Sequence, residues 1–336
     1  MVAIRLAAQA VGVSTVSLGV AVAGLGAIGR LHARNLAGRV PGARLARLVD
    51  PVERAGRSLA TQLSVPWSPD LDDALADDAV EAVVIATPSP LHAEMVGRAA
   101  AGSRHVFCEK PISLELAGGR EALRAAEAAG VSVQVGFQRR FDPDWKRARA
   151  IVAAGGVGEV QLLRISHRNR EHPHGGRTER LGSLFVDMAV HDMDCARWLV
   201  GEVRAVNALA AAAGESALIV LEFENGALGA IDDVRNAGYG FECSAELVGT
   251  RSTLRIATGY RASGVERLTP EGLTACLAAD HLERHATAYL DELIGFVDAV
   301  RTGRSAGASG ADALAALELA LAAERSHTLG RPVCRD

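Results

Sequence analysis

An uncharged segment that runs directly into a glycine-rich turn constrains this chain more than any other feature. Residues 17–23 carry no charge, and Gly24, Gly26 and Gly29 follow at once with the spacing GxGxxG. In this arrangement the first glycine makes a tight turn, the second lets a ligand approach the backbone closely, and the third lets a helix pack against the strand. The pattern predicts a buried β-strand, a turn and a helix in immediate succession.

The residues after the turn support a dinucleotide site. Ala27 and Ile28 open a helix-like segment, whose free N–H groups and positive dipole end suit phosphate groups. A second apolar segment, 43–49, ends in Asp50, 21 residues after the last glycine. An acidic residue at that place accepts hydrogen bonds from ribose hydroxyls and repels a 2′-phosphate. Asp50 therefore favours NAD over NADP, although the nearby Arg54 leaves NADP open.

The uncharged stretch has a second interpretation. No charged residue occurs between Leu6 and Gly29, a length that would span a bilayer, and residues 21–23 (AVA) resemble a signal-peptidase site. Cleavage after this site would remove the strand that the glycine turn requires. We therefore expect a buried strand and interpret residues 1–15 as an N-terminal extension, with a membrane-associated or secreted protein as the alternative.

Strand-like and helix-like segments alternate after the glycine turn. Apolar segments at 82–86, 104–108 and 131–136 are separated by helix-like stretches. Repeated βα units predict a doubly wound parallel sheet, and the loops at the carboxyl ends of its strands line the ligand crevice. The residues at or just after these strand ends that we assign to the crevice are Thr87, Pro88, His92, Glu109 and Lys110.

Lysine is rare in this chain. Of its 36 lysines and arginines, only Lys110 and Lys146 are lysines. A buried ammonium group can titrate near neutral pH, whereas a guanidinium group cannot. Lys110 lies at a predicted strand end and is therefore a candidate catalytic group, whereas Lys146 lies in a polar stretch typical of a surface. Drift in a composition-biased chain is the alternative explanation.

The pattern changes in the second half of the chain. Six short strand-like segments follow in series between residues 161 and 256, and helix-like segments lie near 289–301 and 310–328. This series predicts a large open, mostly antiparallel sheet with helices on one face and a partner subunit or polar side chains on the other. We divide the chain into a Rossmann domain at 16–137 and an α+β domain at 138–336, with the last helix expected to pack back on the first domain.

The segment 187–199, DMAVHDMDCARWL, carries a candidate catalytic constellation. On a helix Asp187 and His191 are i,i+4 neighbours and Asp194 follows three residues later, so one face carries two carboxylates and an imidazole. Asp187 would orient His191 and raise its basicity, which would equip His191 to remove a proton from an alcohol. An exposed Asp–His pair and a metal site formed by these three side chains are the alternatives, and we expect no metal.

Composition disfavours several classes of protein. The net charge is −4 without blocks of like charge, so a nucleic-acid-binding surface is not expected. The five cysteines are far apart and form no CxxC pair, so neither a disulfide framework nor a zinc site is predicted, and a reducing cytoplasm fits best. His172 and His174 lie in a loop and are either solvated or part of a substrate cover.

Four motifs together resemble those of the Gfo/Idh/MocA family of oxidoreductases: GLGAIGRLH at 24–32, TPSPLH at 87–92, CEKP at 108–111 and DMAVHDMDCARWL at 187–199. The resemblance covers nearly the whole chain. Within the family the sequence is most similar to the inositol 2-dehydrogenases, through VFCEKPIS at 106–113, VQVGFQRRFD at 133–142, HRN at 167–169, YGFECSAELVG at 239–249 and AYLDELIGFVDAV at 288–300.

The resemblance implies a Rossmann domain followed by an open α/β domain whose sheet pairs with another subunit, usually in a homo-tetramer. It also implies reversible oxidation of a ring hydroxyl to a ketone with NAD. The catalytic residues of the family fall on Lys110, Asp187 and His191. The implied substrate contacts are Lys110, Gln138, Arg139, Asn169, Asp187, Met188, His191, Asp194 and Tyr239. The cofactor contacts are Gly24, Gly26, Ala27, Ile28, Gly29, Asp50, Thr87, Pro88, His92, Glu109 and Lys110.

Two positions depart from the common pattern of the resembled enzymes. Gln138 replaces an apolar residue, and Phe241 stands where a tyrosine hydroxyl is typical. Both changes leave the expected chemistry intact but weaken any assignment of the particular cyclitol. The family also commonly places a cis peptide bond before the proline that corresponds to Pro111.

We therefore expect an NAD-dependent dehydrogenase of a myo-inositol-type cyclitol, a cytoplasmic enzyme of inositol catabolism. Its substrate would carry many hydroxyl groups, because a site built to bind hydroxyls strongly rejects analogues that lack them. Three alternatives stay open. They are the same chemistry on scyllo-inositol, an aldopyranose or a keto-sugar; a non-catalytic NAD-binding regulator; and a secreted sugar oxidoreductase.

Overall fold

A computed structural model describes residues 17–171, 182–257, 261–270, 272–304 and 307–335. In it the chain forms two large sheets, each with its own helices. The elements of the first half are β1 Leu18–Ala23, α1 Ala27–Leu36, β2 Ala43–Val49, α2 Glu53–Leu63, β3 Trp67–Ser68, α3 Leu71–Leu75, β4 Ala82–Ile85, α4 His92–Ala101, β5 His105–Glu109, α5 Leu116–Ala128 and β6 Val133–Gly136.

The first sheet is a doubly wound Rossmann sheet. Its strands lie in the order β6-β5-β4-β1-β2-β3, and each neighbouring pair is parallel. The order reverses at β1, and in such sheets ligands bind at the carboxyl ends of the strands beside this switch point. The glycine turn after β1 and Lys110 after β5 therefore lie on the same edge, as the alternation of strands and helices predicts.

Strand β1 is buried on both faces, which explains why its sequence is apolar without interruption. Val20 and Val22 pack into a core with α1, α2 and a later helix, whereas Ala21 and Ala23 face a second core on the side of α3 and α4. Successive side chains of a strand point to opposite faces, so both sets must be apolar. This segment is the uncharged stretch that also allowed a membrane or secretory interpretation.

The second half of the chain forms the other large sheet. Its elements are α6 Pro143–Ala153, β7 Val160–Arg168, α7 Val190–Val200, β8 Val203–Ala210, β9 Ser216–Phe223, β10 Leu228–Val234, β11 Glu242–Gly249, β12 Thr253–Ile256, β13 Arg261–Thr269, β14 Gly272–Leu277, α8 His281–Arg284, α9 Ala286–Thr302, β15 Ala308–Ser309, α10 Gly310–Leu329 and β16 Val333–Cys334. The sheet order is β12-β11-β7-β10-β9-β8-β16, and only β7 and β10 are parallel. The predicted large, mostly antiparallel sheet is confirmed.

One face of this second sheet is covered and the other is open. The inward residues of β8, β9 and β10 share a core with α7 and α10. On the outward positions Leu209, Leu218, Val220 and Leu228 are 46–64% exposed. Apolar side chains on the solvent side of a sheet are unusual, because an antiparallel sheet with one open face normally alternates apolar and polar residues.

The C-terminal elements return to the first sheet. Leu293, Phe296 and Val297 of α9 join the core that contains Val20 and Val22. Strand β15 adds an antiparallel edge to β6. A domain boundary at residues 137/138 stays a prediction, since elements far beyond it complete the first sheet.

The structure contains no helix, within its described residues, that is both long enough and apolar enough to cross a membrane.

We expect alanine substitutions at Gly29 and at Gly26 to differ in their effect on the free energy of unfolding. A Cβ at Gly29 would lie 1.8 Å from the carbonyl oxygen of Gly24, whereas a Cβ at Gly26 would meet nothing within 4 Å. Gly29→Ala should therefore lower the free energy of unfolding by about 2 kcal/mol or more, as overpacking does. Urea denaturation of the ligand-free protein measures this, with Gly26→Ala as the matched control; equal midpoints for the two variants would contradict the packing argument.

Candidate active site

A cavity of about 520 Å³ lies where the carboxyl edge of the first sheet meets the second half of the chain. Glu109 and Lys110, at the end of β5, enter it from one side. Asp187, Met188 and His191 enter it from the opposite side, where α7 begins. The other lining residues are Ile28, Gln138, Arg139, His167, Asn169, Arg170, Glu171, Phe241, Ala279, Asp280, His281 and Tyr289.

Lys110 is hydrogen-bonded to the second half of the chain. Its Nζ donates hydrogen bonds to the backbone carbonyl of Asp187 at 2.7 Å and to the Asp187 Oδ1 at 3.3 Å. The other carboxylate oxygen of Asp187 accepts from Arg235 at 3.2 Å. One carboxylate thus lies between two cations. The peptide bond between Lys110 and Pro111 is cis, as the resemblance implied.

His191 lies in the cavity wall without a hydrogen bond to Asp187. It is 8% exposed, and its Nδ1 has no hydrogen-bond partner among the described residues. Burial, together with the nearby Lys110 and Arg139 cations, holds the pKa of His191 well below its ordinary value. The prediction that Asp187 raises the basicity of His191 is therefore wrong: Lys110 and Arg235 occupy the carboxylate.

The local helix geometry explains why Asp187 and His191 are not hydrogen-bonded. Residues Phe185–Ala189 form a π-helical turn immediately before α7. In a π-helical turn hydrogen bonds span five residues instead of four, so the i,i+4 geometry of a regular α-helix does not hold between Asp187 and His191. Such turns occur often at functional sites. Here the turn holds the backbone carbonyl that accepts from Lys110.

A buried charge network lies behind His191. Arg139 donates to Asp192 Oδ1 at 2.5 Å and lies 2.9 Å from His167 Nδ1, and Asp192 Oδ2 lies 3.1 Å from the same nitrogen. Although burial opposes ionisation, Arg139 and His167 lower the pKa of Asp192. Burial and the Asp192 charge raise the pKa of Asp233 well above its ordinary range. The network therefore holds one ionised carboxylate against one guanidinium.

The predicted substrate contacts divide into two groups. Gln138, Asn169 and Met188 reach the cavity beside the catalytic candidates. The Asn169 amide contacts only the Met188 sulfur, at 3.5 Å, through its side chain. Arg139 also reaches the cavity, but its terminal nitrogens are already engaged by Asp192 and His167.

Asp194 and Tyr239 do not line the cavity. The burial of Asp194 contradicts its assignment as a substrate contact, whereas that of Tyr239 stays a prediction. Asp194 is fully buried and accepts two hydrogen bonds from Arg140, at 2.6 and 2.9 Å. Tyr239 is 47% exposed, and its hydroxyl donates to Glu242. Arg140 thus engages both carboxylate oxygens of Asp194, and Lys110 and Arg235 engage those of Asp187. The alternative metal site of Asp187, His191 and Asp194 is therefore not assembled.

His92 is buried, which contradicts its assignment as a cofactor contact. It is 1% exposed, and its ring nitrogens lie 2.7 Å from the Pro111 carbonyl oxygen and 2.8 Å from the Thr87 carbonyl oxygen. His92 thus connects the loop after β4 to the backbone beside Lys110. Pro88, next to Thr87, is the N-cap of the short 3₁₀ turn Ser89–Leu91 that precedes α4.

The glycine turn has the geometry that a dinucleotide requires. Gly24 has a positive φ of 87°, and a Cβ there would lie 2.5 Å from the carbonyl oxygen of Ala86. The space beside Gly26 is open. Asp50 Oδ2 accepts from the Leu25 N–H at 2.7 Å, so the acidic residue and the turn are held together. These residues fit a bound pyrophosphate and ribose.

Several residues in or beside the cavity were not identified from the sequence. Arg235, directly after β10, does not line the cavity but is 2% exposed and pairs with Asp187. His167 and Tyr289 line the cavity. Both lie in motifs that carried the resemblance, but neither was assigned to the site from the sequence. Tertiary packing brings His167 of β7 and Tyr289 of α9 to the same cavity, and no local spacing in the sequence signals it. His172 and His174 lie outside the described residues.

Glu109 belongs to a cluster of three titratable groups, together with His32 and Glu292. His32 donates from Nε2 to Glu109 Oε1 at 2.7 Å, and polar atoms of His32, Glu109 and Glu292 all lie within 4.8 Å of one another. Glu292, on α9, is fully buried, and neither of its carboxyl oxygens has a partner in the described part of the chain. Burial and the Glu109 charge raise the pKa of Glu292 well above its ordinary range.

The fold and this site together define a dinucleotide-dependent oxidoreductase. Two family descriptions match the chain: "Oxidoreductase family, NAD-binding Rossmann fold" over residues 18–137, and "GFO/IDH/MocA C-terminal domain" over residues 145–255. The chain belongs to the Gfo/Idh/MocA family of oxidoreductases, and its cofactor is NAD. The resemblance drawn from the four motifs is confirmed.

Relatives with assigned activities match over nearly their full length. The chain is 34% identical over 328 residues to the scyllo-inositol 2-dehydrogenase (NAD(+)) of Bacillus subtilis, which covers 94% of this chain and 96% of the relative. It is 34% identical over 316 residues to the inositol 2-dehydrogenase of Rhizobium meliloti, with 90% and 94% covered. The crystal structure of scyllo-inositol dehydrogenase from Lactobacillus casei with bound NAD(H) and scyllo-inositol matches with a TM-score of 0.89 at 28% identity, covering 95% of this chain and 99% of that one.

Because the Glu292 carboxyl is buried and has a raised pKa, we expect Glu292→Gln to change the free energy of unfolding in a pH-dependent way. With a raised pKa the folded state keeps a proton that the unfolded state has lost, so the wild-type free energy of unfolding falls as the pH rises above about 4.3. Glutamine has no such proton. The stability of the variant relative to wild type should increase by about 1.4 kcal/mol per pH unit while the folded state retains the proton.

Urea denaturation at pH 5.5, 6.5 and 7.5 measures this difference. Glu121→Gln is the control, because Glu121 is exposed on α5. A difference between Glu292→Gln and wild type that stays constant across the three pH values would show that Glu292 is ionised in the folded protein.

Proposed function

We propose that the protein oxidises a ring hydroxyl of an inositol-type cyclitol to the ketone. The observation that carries this proposal is the convergence of Lys110 and His191 on one cavity at the carboxyl edge of the NAD-binding sheet. The activities assigned to the relatives support the cyclitol. Bound NAD supplies the hydride acceptor.

His191 and Lys110 divide the handling of the proton. His191 is neutral near pH 7 because its pKa is lowered by burial and by Lys110 and Arg139. Its Nδ1 is buried without a partner, so Nε2 is the ring nitrogen that can accept the hydroxyl proton. Lys110 donates a hydrogen bond to the same oxygen and stabilises its developing negative charge. Asp187, held by Arg235, keeps the Lys110 ammonium at the cavity wall.

The polar lining favours a substrate that carries several hydroxyl groups. Gln138 has no side-chain hydrogen bond within the described residues and faces the cavity, and the Asn169 amide has only a sulfur contact. Both amides can donate and accept hydrogen bonds. Analogues that lack hydroxyl groups would leave these amides unpaired, which costs binding free energy.

A substrate panel tests the proposal. The purified protein is assayed with NAD and with NADP against myo-inositol, scyllo-inositol, aldopyranoses and simple 2-hydroxy acids, following absorbance at the reduced-nicotinamide band. We expect a cyclitol to have a kcat/KM at least about tenfold above that of any pyranose or hydroxy acid, a margin of about 1.4 kcal/mol. A higher value for a pyranose would reassign the substrate, and no turnover with any polyol would contradict the proposed function.

Lys110→Arg serves as the catalytic control in the same experiment. The variant keeps a positive charge, but its planar guanidinium does not place a donor where the compact Lys110 ammonium does. We expect NAD binding to persist and kcat to fall at least about 100-fold, as for loss of a donor that stabilises a developing oxyanion. Turnover at the wild-type rate would refute the role of Lys110.

We also propose that the open face of the second sheet binds a second copy of this chain, within the tetramer that the resemblance implies. The side chains Leu209, Leu218, Val220 and Leu228 form an apolar strip across β8, β9 and β10. Contiguous apolar surface of this kind marks interaction sites. Leu218→Glu should therefore lower the mass measured by light scattering, whereas Leu329→Glu, at an exposed leucine beyond the strip, should not. An unchanged mass for Leu218→Glu would contradict the proposal.

A further inference from the structure

Glu292 is a buried carboxyl group that the proposed chemistry does not use. It lies on α9 among core residues, since its neighbour Leu293 and Phe296 one turn further are both buried. Neither carboxyl oxygen of Glu292 has a partner within the described residues. An unpartnered buried polar group costs free energy that an apolar side chain would avoid. The presence of a carboxyl group at this place therefore requires an explanation.

The Glu292 carboxyl lies next to Glu109, on the side away from the cavity. Its polar atoms are within 4.8 Å of those of Glu109 and His32. Gln134 Nε2 donates to the backbone carbonyl of Glu292 at 3.0 Å, which fixes this turn of α9 against β6. Glu109 lines the cavity, whereas Glu292 and His32 do not. The cluster therefore has one member at the cavity wall and two members behind it.

The two oxygens of the Glu109 carboxylate have different surroundings. Oε1 accepts from His32 Nε2 at 2.7 Å. The His32 ring is buried and packs edge-on against the rings of Phe107 and Tyr289, so its orientation is fixed. Oε2 lies over Gly136 of β6, where an added Cβ would come within 3.0 Å of it. Within the part of the chain that the structure describes, Oε2 has no hydrogen-bond donor.

We propose that Glu292 is a positioning residue whose protonated carboxyl donates a hydrogen bond to Glu109 Oε2 and so holds the Glu109 carboxylate at the cavity wall. Two carboxyl groups that share a buried site do not both ionise. Burial and the Glu109 charge raise the pKa of Glu292 well above its ordinary range, so Glu292 keeps the proton. Hydrogen bonds from a carboxyl O–H to a carboxylate are short and strong. The terminal torsion of glutamate is soft, so a rotation of the Glu292 carboxyl closes the remaining distance.

A carboxylate held at this place favours the oxidised form of the cofactor. Hydride transfer requires the nicotinamide ring to lie against the substrate carbon, whose oxygen Lys110 binds in the proposed function. Glu109 precedes Lys110 and lines the same cavity. The oxidised ring is cationic and the reduced ring is neutral, so a nearby carboxylate stabilises bound NAD relative to bound NADH. The inference rests on the proposed function in this placing of the ring, but not on which polyol is oxidised.

Isothermal titration calorimetry with NAD and with NADH, in the absence of any polyol, provides the test. The measured quantity is the ratio of the NADH dissociation constant to the NAD dissociation constant. Glu292→Gln keeps a hydrogen-bond donor, whereas Glu292→Met has a side chain of similar length without one. We expect the ratio to fall at least about fivefold in Glu292→Met and in Glu109→Gln, which removes the charge itself. Glu292→Gln should stay within about twofold of wild type, because its amide still donates to Glu109.

The ratio separates positioning from a merely structural role. A variant that is only partly folded weakens the apparent binding of both nucleotides by the same factor, so the ratio does not change. Glu121→Gln, at an exposed position of α5, is the control and should keep the wild-type ratio. A wild-type ratio in Glu292→Met or in Glu109→Gln would overturn the proposal, and so would a loss in Glu292→Gln as large as that in Glu292→Met. Because no polyol is present, failure of the substrate panel and failure of this inference are separate results.

Discussion

The contact between Lys110 and Asp187 is the interaction on which the site depends. Lys110 ends β5 of the first sheet, and Asp187 lies in the π-helical turn that precedes α7 of the second half, 77 residues later. The contact closes the cavity between the two halves and fixes the amine at its wall. Arg235 binds the same carboxylate from the other side, so Asp187 balances two cations and has no free oxygen to orient His191.

Burial and positive charge together determine the protonation states around the cavity. His191 stays neutral because desolvation, Lys110 and Arg139 all oppose its protonation. Asp192 stays ionised because Arg139 and His167 compensate its burial. At Asp233 burial and the Asp192 charge outweigh the nearby arginines, and at Glu292 burial and the Glu109 charge act together, so the pKa values of both groups are raised. His191 is therefore a neutral imidazole that can accept a proton in the reaction, and not an imidazolium.

The sequence predicted those features that local patterns encode. The glycine turn, Asp50, the alternation of strands and helices and the cavity positions of Lys110 and His191 all follow from short motifs and their order. The partners of Asp187 and Asp194 could not be predicted, because Arg235 and Arg140 come from distant elements that only tertiary packing brings near. The prediction that Asp187 contacts His191, which rested on their i,i+4 spacing, was wrong because the regular α-helix begins only at Val190.

The return of α9 and β15 to the first sheet affects how the chain folds during synthesis. The ribosome completes β1 to β6 long before Leu293, Phe296 and Val297 emerge, although these three side chains cover the apolar face that holds Val20 and Val22. Until then that face and the edge of β6 lack their cover. Nascent chains with such uncovered surfaces are prone to aggregation and are typical clients of chaperones. The dinucleotide-binding half therefore matures late, although it is made first.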